Sequence, residues 1–197
     1  MPKIVDHEAR REQVGEATWR VIAKRGIEAT TIKEIAKETG FSTGIFAHYF
    51  RNKDELLLYA LRLTSLRMGA RMWKRGEEAA GNQVLRNVLL EALPLDDERR
   101  LEWQIWVIFW GRAISDASMA DEQQRWYVEY RSLLRGLIVD GQRNGYFRAD
   151  IDAAEEADSI VALVAGIGMQ ATLEPRRFPP EYQITLLNHR LSALVSQ

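Results

Sequence analysis

Within the twelve residues from Ser42 to Lys53 the chain gathers Ser42, Thr43, His48, Tyr49 and Lys53. Their hydroxyl, imidazole, phenol and ammonium groups suit hydrogen bonding to phosphate oxygens and base edges. Bond-making chemistry finds no comparable set. Cysteine is absent, which removes disulfides, iron–sulfur ligation and thiolate zinc sites. His7, His48 and His189 are the only histidines and show no paired metal-binding spacing, so no metal is expected. Glu77/Glu78 and Glu155/Glu156 are adjacent pairs that diverge on a helix and read as solvated faces. "GIGMQA", Gly166 to Ala171, superficially fits a dinucleotide fingerprint, but it lies in a helical run with no preceding strand. Neither a cofactor nor an enzymatic activity is expected; binding is.

Two helices must position the polar cluster. "TTIKEIAKETG" opens with Thr31 and Glu34 in capping-box spacing, carries Ile32, Ile35 and Ala36 as an apolar stripe, and stops at Gly40. Ser42 then opens a second helix of barely two turns, running to about Tyr49. Isolated helices need about 12–15 residues to be stable, so a segment this short exists for what it contacts. Two short helices joined by a turn are a helix-turn-helix, whose second helix lies in the major groove of DNA. Gly44 lets backbone approach the duplex, Phe46 and Phe50 pack back on Ile35, and Thr43, Ile45, Ala47 and His48 face outward. Tyr49 and Lys53 reach phosphates. Each also has a plainer reading: Ser42 and Thr31 as caps only, Tyr49 as packing, His48 and Lys53 as surface residues.

The rest of the chain reads as helices, giving an all-α fold. Val14, Ala17, Val21 and Ile22 recur at helical spacing up to a left-handed cap at Gly26, and Asn52 with Glu55 starts a long helix whose stripe is Leu56, Ala60, Leu63 and Leu66. Further helices run from about Glu98, from about Ala120 to Asn144, from Asp152 through "IVALVAGIGMQATL", and over "EYQITLLNHRLSALV". A helix-turn-helix head over 1–53 and a helical ligand-binding and dimerisation body over 54–197 are the expected domains. Charge divides likewise: residues 1–53 carry ten Lys/Arg against seven Asp/Glu, a net +3, and the remainder nets −4. A basic head on an acidic body favours contact with phosphate. The polar N-terminus lacks a signal-peptide core and no window approaches a membrane span, so a cytoplasmic protein without membrane contact is expected.

The stretch "ATTIKEIAKETGFSTGIFAHYFRNKDELL" resembles the DNA-binding signature of the tetracycline-repressor (TetR) family over roughly residues 10 to 60. With "WVIFWGR" further on, it is most similar to the branch that represses glycine-betaine synthesis genes. The resemblance implies a homodimer whose heads bind a near-palindromic double-stranded operator and whose bodies dimerise and bind a small-molecule inducer. It assigns DNA contact to Thr31, Lys33, Ser42, Thr43, Gly44, Ile45, Ala47, His48, Tyr49 and Lys53. Many members carry tyrosine where this chain has Ala47, which removes one phosphate contact. The alternative is a helical adaptor or small-molecule-binding protein without DNA binding, which a gel shift with salt titration separates.

In the body, Trp103, Trp106 and Trp110 share one helix face, with Phe109 beside them and Trp73, Trp126 and Tyr130 on neighbouring helices. This stripe is either core or, with Met169, a ligand box able to cage a quaternary ammonium through cation–π attraction. "ADSIVALVAGIGMQA" is apolar nearly all round and must be covered on both sides. The expected dimer interface is Ile160, Val164, Ile167, Gly168 and Ala171 with Leu187, Leu191 and Leu194 of the last helix; the alternative is a central helix of a monomeric bundle.

Overall fold

The computed structural model describes residues 7–26 and 30–196, and among these it contains helices α1 (His7–Arg25), α2 (Ile32–Thr39), α3 (Thr43–Tyr49), α4 (Lys53–Glu77), α5 (Gln83–Leu90), α6 (Asp97–Ala113), α7 (Ala117–Arg143), α8 (Ala153–Leu173) and α9 (Pro180–Ser192). The only β pairing among the described residues is an isolated antiparallel bridge between Phe147 and Val195. No described helix is long and apolar enough to cross a membrane.

Most helix starts are set by an oxygen accepting from the first turn's orphan N–H groups. Thr31 Oγ1 accepts from Glu34 N at 3.2 Å and Asn52 Oδ1 from Glu55 N at 2.8 Å. Asp96, Asp116 and Asp152 do the same for α6, α7 and α8. Asp116 explains why α7 begins three residues before the expected Ala120. Gly26 and Gly40 end α1 and α2 with φ of 77° and 71°, in the left-handed region that favours glycine.

Two cores form. Val14, Ala17, Val21, Ile35, Ala36, Phe46, Phe50 and Leu56 make the head core, with Phe41, Ile45, Tyr49 and Tyr59 packed against it. Because Leu56 and Tyr59 belong to α4, the head's packing continues past Lys53. The second core fills the body, and Ile22, about 100° around α1 from Val21, joins it with Leu57, Ala60 and Leu61. Helices α1 and α4 therefore each contribute to both cores. Gly15 of α1 permits their close approach: a β-carbon there would come within 2.6 Å of Leu63 and Tyr59 side chains. On α4 the inward residues are Leu57, Ala60, Leu61, Thr64, Met68 and Met72, whereas Leu66 is 69% exposed. The expected 56/60/63/66 stripe is thus rotated, because α4 faces the head at its start and the body further along.

Candidate nucleic-acid interface and ligand cavity

The second helix of the pair, α3, is held by Phe46 and Phe50, which are buried against Ile35 as their spacing predicts. Thr31, Lys33, Ser42, Thr43, Gly44 and His48 are exposed. The Ser42 side chain occupies the N-cap position of α3 without making a capping bond. Its hydroxyl is thus not used to hold the helix. Nothing lies within 4 Å of a β-carbon built on Gly44, so open space adjoins the helix start. Ile45 departs from expectation: it is partly buried against the head core, because it shares the inward side with Phe46 and Tyr49. Tyr49 is half-buried, its ring meeting His48 edge-on at 5.1 Å. Lys53 is half-exposed in the first turn of α4. The Ala47 side chain lies outside the described residues.

Glu55 braces the start of α4. Its Oε2 accepts from Arg51 N at 2.9 Å and Arg51 Nε at 3.1 Å, and these bonds hold its carboxyl below the ordinary value. Arg11 lies 3.6 Å from Glu55 and stacks 4.8 Å over Tyr59 and 5.3 Å over Phe50.

In the body, Trp103, Trp106, Trp110, Trp126, Tyr127 and Tyr130 enclose a cavity of about 30 Å³, completed by Met68, Ala92, Val161, Val164 and Ala165. The expected tryptophans of α6 do converge there with Trp126 and Tyr130 of α7. Trp126 is the hub, 5.0 Å from Trp106 and 4.8 Å from Tyr130 between ring centroids. No lining residue is charged. Trp103 donates Nε1–H to Ala92 O at 2.9 Å, but the Trp110 indole N–H and the Tyr130 hydroxyl are buried without partners. Burial pushes the Tyr130 hydroxyl pKa well above its ordinary value, and the Tyr127 one upward as well.

Three expected pocket residues lie elsewhere. Trp73 is 68% exposed, because it stands about 100° around α4 from the inward Met72; it borders a separate apolar groove with Val84, Val88 and Leu133. Phe109 is buried in the body core without lining the cavity. Met169 sits on the side of α8 away from Val161 and Val164. Conversely, sequence reasoning passed over Met68, Val161 and Gln123. Gln123 carried a signal: a polar residue three before Trp126 and seven before Tyr130, in the inward phase of α7.

The expected dimer residues also need correction. Ile160, Val164, Ile167, Gly168, Ala171, Leu187, Leu191 and Leu194 are all buried within this chain. A β-carbon on Gly168 would collide with the Trp103 indole of α6. The most apolar positions of α8 cover the chain's own core. The side opposite them carries Ala162, Gly166, Met169 and Leu173, with Leu173 67% exposed and open space over Gly166.

A helix-turn-helix head seated through α1 and α4 on a helical body with an aromatic cavity is the build of a DNA-binding transcriptional regulator that carries its own receptor. Residues 16–60 match the family described as bacterial regulatory proteins, tetR family, and residues 81–196 match the BetI-type transcriptional repressor C-terminal domain. The chain belongs to the TetR family of transcriptional regulators. It is 35% identical over 178 residues to the HTH-type transcriptional regulator PksA of Bacillus subtilis, covering 90% of this chain and 85% of that one. It is 28% identical over 195 residues to the HTH-type transcriptional regulator BetI of Escherichia coli, covering 96% and 95%. Among solved structures, a transcriptional regulator from Saccharomonospora viridis in complex with choline superposes with a TM-score of 0.89 at 28% identity, covering 96% of this chain and all of that one (100%).

Proposed function

We propose that this regulator is a cytoplasmic repressor that binds a near-palindromic operator as a homodimer and is released when an organic cation of the quaternary-ammonium class enters the aromatic cavity. DNA contact is assigned to Thr31, Lys33, Ser42, Thr43, Gly44, His48, Tyr49 and Lys53, with two α3 helices reading successive major grooves about 34–36 Å apart. The dimer contact is assigned to the outward side of α8, Ala162, Gly166, Met169 and Leu173, whose small residues permit close helix approach.

The ligand class rests on one observation above all: six aromatic rings line the cavity and no charged residue does. Aromatic faces attract a desolvated cation by about 2 kcal/mol or more. The choline bound by the similar Saccharomonospora viridis regulator supports the same class. Calorimetry with choline and its neutral carbon analogue, 3,3-dimethylbutanol, tests it. Choline should bind and weaken operator binding while the alcohol does neither. Equal binding of the two would remove the cation from the reading. Sedimentation of the protein as a monomer at micromolar concentration would remove the dimer.

A further inference from the structure

The aromatic cavity is too small for its ligand as it stands. About 30 Å³ accommodates little more than water, and ligand pockets run to about 300–1,000 Å³. Next to it an open groove of about 460 Å³ lies between α4 and α7, lined by Leu61, Arg62, Ser65, Glu122 and Gln123 among others. Trp106 and Trp126 line both spaces. They form the shared wall, so displacing that pair merges the cavity with the groove.

Gln123 stands beside this wall. It is 8% exposed, and neither its amide nitrogen nor its amide oxygen has a hydrogen-bond partner. Its amide lies near the Tyr127 hydroxyl without making a hydrogen bond of ordinary geometry. A buried amide missing all its bonds is costly and uncommon. The Thr18 and Thr64 hydroxyls, also buried, each donate to a backbone carbonyl one turn earlier, which shows what ordinary satisfaction looks like in this fold.

Resting on the ammonium reading above, we infer that Gln123 is a specificity-determining residue for an elongated ligand: a quaternary ammonium in the aromatic cavity whose chain passes the Trp106/Trp126 wall and ends in a hydrogen-bonding group on the Gln123 amide. The length follows from helix geometry. Gln123 does not line the cavity; the lining residues Tyr127 and Tyr130 follow it by four and seven residues, a backbone rise of about 6–10 Å that sets the scale, although the Tyr127 hydroxyl itself leans back toward Gln123. A hydroxyl that far from the ammonium needs a chain of about four to seven carbons, longer than choline's. Arg62 and Glu122, bonded to each other at 2.8 Å, line the same open groove together with Arg125 and Glu129.

Calorimetry on the full-length protein tests this with two series of trimethylammonium ions, one ending in a hydroxyl and one in a methyl, from two to eight carbons. In the wild type the hydroxyl should improve affinity about tenfold or more at about four to seven carbons. In Gln123→Leu that advantage should fall to near unity while the methyl-ended ions bind as before. The variant should also be no less stable than the wild type, because it removes an orphaned amide; Gln123→Met, closer in shape, serves if the leucine variant does not fold. A hydroxyl advantage that is absent, greatest for choline, or unchanged in the variants overturns the Gln123 subsite and leaves the ammonium reading standing. Binding of no member of either series by the wild type overturns the ammonium reading and this ligand together.

Discussion

Gly168→Ala and Gly166→Ala sit two residues apart on α8 and should behave oppositely. Alanine is favoured over glycine in a helix interior by about 0.8–1.0 kcal/mol, so both start from the same gain. At Gly166 nothing lies within 4 Å of the added carbon, and within one chain that gain stands. At Gly168 the added carbon meets the Trp103 indole, a rigid ring that is only 7% exposed. Trp103 cannot retreat cheaply. Its N–H bond to Ala92 O at 2.9 Å is worth about 0.5–1.5 kcal/mol, and its edge contact with Trp110 at 5.6 Å about as much. Overpacking of a filled core costs about 1–3 kcal/mol.

Set against the propensity gain, the net expectation for Gly168→Ala is a loss of up to about 2 kcal/mol, or up to about 8 °C in melting temperature for a chain of this size, whereas Gly166→Ala gains. Circular dichroism melts of both variants beside the wild type supply the measurement. Adding Trp103→Phe to Gly168→Ala should recover part of the loss, since neighbours that share a contact are not additive. Sedimentation of Gly168→Ala should be unchanged, because the residue faces inward. If Gly168→Ala melts as high as Gly166→Ala, the indole does not lie over this helix and the packing of α6 on α8 is wrong.

Thr31→Ala should cost about 1 kcal/mol of stability, having lost a cap to Glu34 N, whereas Ser42→Ala should change stability by less than about 0.5 kcal/mol yet weaken operator binding; equal melts of the two variants would contradict the capping difference. Lys53→Ala should weaken binding to all DNA sequences and reduce the slope of log affinity against log salt by about one, and an unaltered slope removes its phosphate role. Glu122 has its pKa held below the ordinary glutamate value by the Arg62 guanidinium, so its contribution is present above that value and lost as pH falls through the lower folded-state one. Glu122→Gln should therefore cost at most about 1 kcal/mol at neutral pH, the pair being half exposed on the arginine side, with the gap to wild type closing in acid. A gap that persists at acid pH counts against the pair.

The head was legible because local signals there decide the structure. Thr31, Asn52 and Gly40 act through bonds and dihedrals within a few residues, and Phe46 and Phe50 have one side of a short helix on which to lie. The body was harder. Helix α8 is apolar nearly all round, so its periodicity carries no phase, and choosing its most apolar positions selected the core instead of the outer side. Gly166 and Gly168 differ only in what packs over them, which no local pattern records. Trp73 is aromatic like the cavity residues, yet the phase of α4 is set by Leu57, Ala60 and Leu61. Helix α5, eight residues between two turns, became visible only through Leu85, Val88 and Leu89 packing on the body core. Gln123 alone could have been found, as one polar residue in an apolar phase.

Two struts connect the cavity to the DNA-facing end, and they make a last expectation about induction. Helix α4, about 37 Å long by its 25 residues, has Leu56 in the head core, Met68 on the cavity, and Arg67 paired with Glu16 of α1. Helix α6 is the shorter strut: Trp103, Trp106 and Trp110 wall the cavity, and Arg112, two residues beyond Trp110, bonds Asp54 at 3.0 Å beside Lys53. The expectation is that a ligand displacing Trp106 shifts α6 and that Arg112 carries the shift to Asp54 at the start of α4. The pair is partly exposed, with side chains 35% and 52% accessible, so it adds at most about 1 kcal/mol to stability. Arg112→Met keeps the aliphatic stem and removes only the bond. It should leave ligand affinity of the free protein and operator affinity without ligand near their wild-type values. What should fall is the factor by which one weakens the other, about 5- to 150-fold for a coupling of about 1–3 kcal/mol. Linkage requires that factor to be the same whether ligand is titrated onto the DNA complex or DNA onto the liganded protein, so the two titrations check each other. A factor unchanged from wild type in both directions would mean that α4 alone carries the signal.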